Sequence, residues 1–255
     1  MGLLDDLVAK VTDPYDRQAR LYPALLALLP LLAMVALIYG PKASALTSAA
    51  TIAISCGGLY LMTNVCRQLG KRLEERLFRD WGGKPTTQLL RHRDRTIEAV
   101  TKRRYHLFLA NKINEPFPSK EQEAADAVAA DEIYQSGIRW LLNHTRPDDS
   151  KKFEMLFKEN IAYGFRRNAL GVKLVGLIIA TGSVLWILVK QNVIVCRSRG
   201  FVDWFALQQL PETSMACLIV STFMILIWVF FFTKATVRTA SFSFAEMLLR
   251  ACDIL

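Results

Sequence analysis

The sequence predicts an all-α membrane protein with four transmembrane helices in two hairpins and a central helical cytoplasmic domain. A bilayer core takes about 20 helical residues to cross. Four apolar runs reach that length: about Leu21–Tyr39, Ala45–Val65, Leu170–Val189 and Met215–Thr233. With the N-terminus inside, the segment 67–168 carries 21 Lys/Arg, whereas the two loops between paired spans carry three together. This asymmetry indicates that the long segment and both termini are cytoplasmic.

These runs divide the chain into five predicted parts. Residues 1–20 contain a short N-terminal amphipathic helix, 21–66 the first transmembrane hairpin, and 67–168 a basic helical domain. The second hairpin covers 169–233 and a cytoplasmic tail covers 234–255. The amphipathic helix is predicted over Leu3–Val11, where apolar residues recur at helical spacing.

The predicted spans differ in their special residues. Pro23 and Pro30 are seven residues apart on one face of the first span, where they form either a packing kink or a gating hinge. The third span carries small residues such as Gly171 and Gly176, which are suited to close helix packing. No charge is expected to be buried within the four spans.

The second span carries a stripe of small and mildly polar residues near helical spacing. Such a stripe either lets helices approach closely or lines a water-filled path. In the second case Ser48, Thr51 and Ser55 are the pore-lining residues. The helix is expected to continue beyond the membrane until Gly82-Gly83, where Thr86 or Thr87 caps a short helix. Ser119 matches a capping box that opens a helix running to about Asn143.

The basic block Arg67–Leu109 holds twelve Lys/Arg and five Asp/Glu, a net charge of +7 out of the chain's +9. One interpretation is that these cations orient the protein and attract anionic lipid headgroups. The other is that they bind a polyanion, because aromatic residues are interleaved with them, as in proteins that bind single-stranded nucleic acid. The candidate phosphate contacts are Lys84, Arg91, Arg93, Arg95, Lys102, Arg103 and Arg104, with Trp81, Tyr105 and Phe108 as stacking surfaces.

Enzymatic chemistry is not indicated. The five cysteines have no C-x-x-C spacing, and the three histidines do not form a metal-ligand pattern. No catalytic motif is present, so no catalytic residue, metal or cofactor is predicted. Three functions then compete: a ligand-gated pore built from identical chains, a scaffold that recruits a soluble partner to the membrane, and a small transporter. The transporter ranks last because no interrupted helix pair with a charged midplane site is evident.

In size and layout the chain resembles small bacterial anti-phage membrane effectors of the Hailong type. The resemblance is one of architecture and charge: two hairpins of spans, a short acidic N-terminal helix, and a central basic domain that contains WGGKPTTQLLRHRDR and ENIAYGFRRN. The resemblance implies a tetrameric ion channel in the inner membrane, with single-stranded DNA bound to the cytoplasmic basic surface. It further implies that the DNA is a deoxyadenylate oligomer made by a partner nucleotidyltransferase. Bound DNA would keep the pore shut, and its loss would depolarise the cell.

Overall fold

The computed structural model describes residues 13–40, 45–146, 152–195, 201–202 and 204–255. Apart from loops and one short antiparallel strand pair, β1 (Ile194–Val195) with β2 (Phe201–Val202), these residues are helical. The helices are α1 (Pro14–Tyr39), α2 (Ala45–Asp80), α3 (Pro85–Leu90), α4 (Ala99–Ile113), α5 (Lys120–Ala125), α6 (Ala127–His144), α7 (Glu154–Lys190), α8 (Trp204–Gln208), α9 (Glu212–Phe231) and α10 (Lys234–Arg250). A 3-10 turn, Ala251–Asp253, follows α10. The predicted helix Leu3–Val11 lies outside the described residues.

Among the described residues, three helices are long and apolar enough to cross a membrane: α1, α7 and α9. They contain the first, third and fourth predicted spans. The second predicted span, Ala45–Val65, forms the first part of α2, which is not one of the three. The prediction of a helical chain with candidate membrane spans is therefore confirmed. The fourth span, the two-hairpin layout and the orientation stay predictions.

The chain divides into two compact units. The first unit comprises 1–73 and 164–236, and the second comprises 74–163 and 237–255. The second unit thus covers most of the predicted basic domain, 67–168, together with most of the segment predicted as a tail. That segment folds as helix α10, whose apolar residues at 237, 240, 245, 248 and 249 follow a helical spacing that could have revealed it.

In the first unit, α1, α2 and α7 meet around Asn168, which is fully buried. Its side-chain amide donates a 2.7 Å hydrogen bond to the carbonyl of Ala19 in α1. A Cβ on Gly70 of α2 would lie 3.1 Å from the Asn168 Cα, and a Cβ on Gly171 of α7 would lie 2.6 Å from the Gly70 nitrogen. Glycine at both positions therefore lets the two helix backbones touch, as expected for closely packed membrane helices. We call this meeting point the Asn168 contact.

Two further contacts join α7 to α9. Gly176 of α7 faces the fully buried indole of Trp228, and a Cβ there would lie 2.7 Å from two of its ring atoms. Lys173, also in α7, donates hydrogen bonds of 3.1 and 3.0 Å to the carbonyls of Val229 and Phe232. These carbonyls are among the unpaired ones that every helix leaves at its end. Half-buried Lys173 thus caps the end of α9. In the described part of the chain, no buried charged residue lies in a predicted span.

The two prolines of α1 lie on its buried face. Pro23, Ala24, Ala27 and Pro30 are the buried residues of the segment Tyr22–Met34. The α-helix continues through Pro30, and π-helical turns are found on either side of this segment. Proline lacks the N–H of the helical ladder, so its place against neighbouring helices favours the packing interpretation over the hinge.

The core of the second unit is built from α3, α4, α6, α7 and α10. Its fully buried side chains include Leu89 and Leu90 of α3, Tyr134 of α6, and Leu248 and Leu249 of α10. Leu89 and Leu90 thereby anchor the C-terminal end of the short helix α3 in this core. This helix leads into the loop 91–98, which contributes half of the residues that line the candidate site.

Turn chemistry sets the boundaries of α2 and α3. Helix α2 ends before Gly82 and Gly83, whose φ angles of 79° and 129° favour glycine, so the predicted stop is confirmed. Helix α3 begins at Pro85 with Lys84 as N-cap, and the side chain of Thr87 is buried. The predicted Thr86 or Thr87 cap is therefore wrong. Proline fits the first helical position because its φ is preset and its missing N–H is not needed there.

The capping box at Ser119 is confirmed: Ser119 and Gln122 bond each other's backbone N–H groups. The single helix predicted from there is instead two, because Asp126 breaks the run with φ −142° and ψ 90°. Its carboxylate accepts hydrogen bonds from the N–H groups of Val128 and Ala129 and so starts α6. An aspartate that competes with the backbone in this way typically favours a cap over a helix interior.

Candidate anion-binding site

Arg91, the first residue after α3, holds the second unit together. Its guanidinium donates to both carboxylate oxygens of Asp131 in α6, at 2.8 and 2.5 Å, and to the carbonyl of Gly82 at 2.8 Å. Only 7% of Arg91 is exposed. The hydrogen bond to Asp131 raises the pKa of Arg91, although burial acts in the opposite direction. Arg91 was predicted to contact phosphate, but its donors are engaged within the fold.

Lys102 of α4 has a comparable structural role. Its ammonium donates to the carbonyls of Arg91 and Asp94, at 2.7 and 2.6 Å, and only 5% of the residue is exposed. Burial lowers the pKa of Lys102, and the nearby carboxylates of Asp94 and Glu123 oppose that shift. Lys102 therefore holds the first residues of the loop 91–98 in place through their carbonyls. Its ammonium group is largely inaccessible to a ligand.

A buried polar network supports the same loop from the other side. Glu123 of α5 accepts a 2.7 Å hydrogen bond from the His92 backbone N–H and a 2.8 Å bond from the Tyr134 hydroxyl. Burial alone would raise the pKa of Glu123, but these hydrogen bonds lower it below its usual value. His106 bonds the carbonyl of Leu90 at 2.7 Å, and burial lowers its pKa to about 4. His106 is therefore neutral at pH 7.

The loop 91–98 and the first turns of α4 form one wall of a cavity of about 480 Å³. Its lining residues are His92, Asp94, Arg95, Ile97, Glu98, Ala99, Lys102, Arg103, His106 and Lys120. Arg95, Arg103 and Lys120 are exposed, and none of them makes an ion pair within the described part of the chain. We call these three residues the open cations. We call the space they line the basic cavity.

The start of α4 adds partial positive charge to the basic cavity. Glu98 is its N-cap and makes no side-chain hydrogen bond to the helix amides. Unpaired N–H groups at a helix N-terminus carry partial positive charge and attract anions. The carboxylates of Asp94 and Glu98 in the cavity lining offset part of this positive charge. Asp94 is engaged locally, since its carboxylate accepts from the Thr96 N–H and hydroxyl and lies 3.9 Å from the Lys102 ammonium. The cavity is therefore suited to a phosphate group.

The remaining predicted cations are dispersed. Arg104 projects from α4 onto Asp253 of the C-terminal turn, through hydrogen bonds of 2.9 and 3.1 Å that raise its pKa. Arg93 is exposed on the loop next to the basic cavity. Lys84 lies outside this cavity and lines a separate cleft with Phe78, Arg79 and Thr87.

The predicted stacking rings are only partly accessible. Tyr105 is 3% exposed and donates a 3.1 Å hydrogen bond to Asp253; burial raises its pKa to about 12. Its ring therefore has no open face on which a base could stack. Phe108 is half-buried against Trp140, with the Lys112 ammonium 5.2 Å from its ring centre. Trp81 is half-buried beside Phe78.

The predicted pore-lining residues lie in the first part of α2. The side chains of Ser48 and Thr51 lie outside the described residues, and Ser55 is half-exposed. A Cβ on Gly57 or Gly58 would meet no atom within 4 Å. Beside Gly57 and Gly58, α2 therefore has open space in the single protomer.

Sequence reasoning missed the residues that hold the site in place. Glu123 and Asp131 come from 31 and 40 residues beyond their partners in the loop, and Asp253 lies 149 residues from Arg104. Lys120 was also missed as an open cation. No local pattern in the sequence signals these pairings, because they depend on how α5, α6 and α10 pack on α3 and α4.

The described residues define a class of protein: a helical chain with three candidate membrane-spanning helices and a second helical unit that bears a basic cavity. Compared with protein-family models, curated proteins and solved structures, the chain matches none. The function is therefore argued from the site itself.

Proposed function

We propose that the protein is an oligomeric membrane channel whose second unit binds a single-stranded oligonucleotide in the cytoplasm. The observation that carries the proposal is the basic cavity with its three open cations. Cations without carboxylate partners are what a phosphate backbone requires, since each contact then releases a counterion without breaking an internal ion pair. The phosphate contacts are Arg95, Arg103 and Lys120, with Arg93 beside them.

Stacking in this site is limited to rings that keep an open face. Phe108 is on the same helix as Arg103 and is half-buried, and half-buried His92 lies in the cavity wall. His106 contacts His92 edge to face but is buried, so its ring is not open to a base. Base stacking tolerates any sequence because every base has a π-face. The oligonucleotide is therefore held mainly by its backbone.

The channel part of the proposal rests on the spans and the resemblance to Hailong-type effectors. We place α1, the first part of α2, α7 and α9 across the bacterial inner membrane as two hairpins, with the Ser48, Thr51 and Ser55 face of α2 toward a central axis. A tetramer would bring four such faces together. As in those effectors, bound DNA would keep the path closed, and its loss during phage infection would depolarise the cell.

Helical connections offer a route from ligand to membrane. The chain passes between the two units within α2 after Leu73, within α7 after Tyr163 and within α10 after Thr236. Each passage is continuous helix, which transmits a displacement better than a flexible loop does. A ligand that fixes the loop 91–98 against α4 could thereby bias the spans, which is the kind of two-state coupling that gating needs.

The first experiment measures binding of a fluorescent single-stranded oligonucleotide to the full chain in detergent at several salt concentrations. With three phosphate contacts, the logarithm of the affinity should fall with a slope of about −2 against the logarithm of salt concentration. The double variant Arg95→Glu and Arg103→Glu should abolish binding. The control is Arg76→Glu with Arg139→Glu, which changes the net charge equally at exposed positions outside the cavity. If both double variants lost oligonucleotide binding equally, the basic cavity would not be the binding site.

The second experiment tests the channel itself. Ion flux is measured across liposomes that contain the full chain, with and without oligonucleotide, and the subunit number is determined by mass measurement of the detergent-solubilised particle. The expected result is an oligomer whose flux is reduced by oligonucleotide. A monomer, or liposomes that stay impermeable in both states, would refute the channel.

An adaptor that recruits a soluble protein is the second candidate. Val100 and Leu107 are 76% and 69% exposed and lie seven residues apart on α4, on one face of the helix. Large exposed apolar side chains of this kind can mark a protein interface. Impermeable liposomes, together with loss of a bound partner on Leu107→Ser, would favour the adaptor.

A further inference from the structure

We propose that a belt of basic residues around the Asn168 contact binds the phosphates of anionic phospholipids in one membrane leaflet. The inference rests on the membrane placement proposed above, but it requires neither the channel nor the oligonucleotide. All of the residues involved belong to the first unit, whereas the open cations belong to the second.

The Asn168 contact sets three helices at a common level. Ala19 of α1, Gly70 of α2 and Asn168 of α7 touch there through the hydrogen bond and the close backbone approach described above. Because a helix rises 1.5 Å per residue, any residue within three positions of these lies within roughly 5 Å of that level along its helix.

The three seven-residue windows centred on Ala19, Gly70 and Asn168 carry seven basic residues and one acidic residue. The basic residues are Arg17, Arg20, Arg67, Lys71, Arg72, Arg166 and Arg167, and the acidic one is Asp16. Asp16 pairs with Arg20 at 2.5 Å. Arg67, Lys71 and Arg72 are exposed, so these three present charge outward. Arg167 is buried and donates a 3.2 Å hydrogen bond to the Asn168 side chain, so it supports the Asn168 contact instead.

The belt lies at one end of the apolar segment of each helix. The apolar run of α1 starts just after the belt at Leu21, that of α2 ends just before it, and that of α7 starts just after it at Ala169. Helix α9 ends near the same level, since Lys173, five residues beyond Asn168, caps its final carbonyls. Four apolar segments therefore stop together where seven cations begin, which is the arrangement expected at the headgroup level of a leaflet.

Anionic headgroups are the occupant that this geometry favours. Basic residues at helix ends attract negatively charged lipid, and pockets between membrane helices bind lipid phosphates. Long Lys and Arg side chains can also extend along apolar surface toward headgroups. An oligonucleotide is disfavoured here because the cations surround a helix bundle at the edge of the apolar region and not a groove.

The test is a thermal-shift titration of the full chain in detergent, without DNA. Phosphatidylglycerol should raise the unfolding midpoint at concentrations about tenfold below those at which phosphatidylcholine acts. The variant Arg67→Gln, Lys71→Gln, Arg72→Gln should lose this preference. Its control, Arg76→Gln, Arg79→Gln, Lys84→Gln, removes the same charge from the next turns of α2 and the turn after it, and should keep the preference.

Soluble glycerol phosphate separates a lipid site from a free phosphate site. It should give no shift, and a shift equal to that of phosphatidylglycerol would overturn the lipid assignment. Equal responses to the two lipids, or loss of the preference in both triple variants, would overturn the proposal as well. If the belt variant does not fold, two other measurements replace it. The single variant Arg166→Gln should weaken the preference for phosphatidylglycerol, and mass spectrometry of the wild-type chain should identify bound anionic phospholipid; failure of both would overturn the proposal.

The outcome does not depend on the channel or on the oligonucleotide. The variant Arg95→Glu with Arg103→Glu should keep the phosphatidylglycerol preference while losing the oligonucleotide. A belt variant that folds should do the reverse. Failure of one proposal therefore leaves the other standing.

Discussion

Arg91 gives the sharpest test of whether the arginines of the basic block serve structure or ligand binding. Arg91→Met keeps most of the aliphatic volume but removes the guanidinium that bridges Asp131 and the Gly82 carbonyl. Breaking a buried ion pair from one side costs about 3–5 kcal/mol, because the other charge is left uncompensated. The Asp131 side chain is 24% exposed, so water can reach its carboxylate. We therefore expect a loss of about 2–3 kcal/mol.

This loss of stability can be measured segment by segment, by hydrogen exchange with mass spectrometry on the full chain. A factor of ten in an equilibrium constant corresponds to 1.4 kcal/mol, so the amides of 82–90 should exchange about 30- to 150-fold faster. Arg93→Met is the matched control, because Arg93 is exposed two residues away. It should leave the exchange of this segment unchanged.

A double variant checks the cause. Combining Arg91→Met with Asp131→Asn removes the uncompensated carboxylate, so the double variant should be less destabilised than the sum of the two single changes. The reasoning fails if Arg91→Met exchanges like the Arg93→Met control while losing oligonucleotide binding. That result would make Arg91 a ligand contact, as the sequence pattern predicts.

Three further predictions concern packing and pH. Gly176→Ala should lower the thermal unfolding midpoint through a cost of about 1–3 kcal/mol, because its methyl group meets Trp228, whereas Gly182→Ala, with no atom within 4 Å, should not. Because burial lowers the pKa of His106 from 6.5 to about 4, the unfolded chain binds more protons between these values. The free energy of unfolding should therefore be constant above pH 6.5 and fall by about 3 kcal/mol as the pH drops to 4. His106→Gln should abolish this fall in a plot of stability against pH. Lys173→Met should lower the stability by about 1–2 kcal/mol, because the carbonyls of Val229 and Phe232 lose their donor; the measurement is again a fall in the unfolding midpoint.

Local patterns in the sequence were sufficient for the elements that local chemistry controls. The stop of α2 at Gly82-Gly83 and the capping box at Ser119 could be predicted because glycine and serine act on backbone within a few residues. The break at Asp126 was missed for a related reason: an aspartate can sit on a helix surface or cap a new helix, and the residues around it do not decide which.

The candidate site could be predicted only as a region. Composition located the excess of cations in Arg67–Leu109, but it could not separate Arg91 from Arg93, since both are arginines in one polar loop. The distinction depends on Asp131 and Glu123, which reach the loop only when α5 and α6 pack against α3. Likewise, the tail prediction for 234–255 overlooked that Leu248 and Leu249 complete the core.

The cations of the basic block have different surroundings and do not form one charged surface. Arg67, Lys71 and Arg72 lie in the first unit beside the Asn168 contact, just after the apolar segment of α2 ends. Arg91 and Lys102 are buried and engaged with carboxylate and carbonyl oxygens, so removing either weakens the fold before it affects any ligand.

Arg93, Arg95 and Arg103 are exposed in or next to the basic cavity, where a polyanion from solution would meet them. This division changes the expected response to salt. Ion pairs that are buried are screened much less than exposed charges. The fold of the second unit should therefore persist at salt concentrations that release an oligonucleotide. A protein with these properties can lose its ligand and keep its structure, which is the condition that any reversible sensor of a nucleic acid must meet.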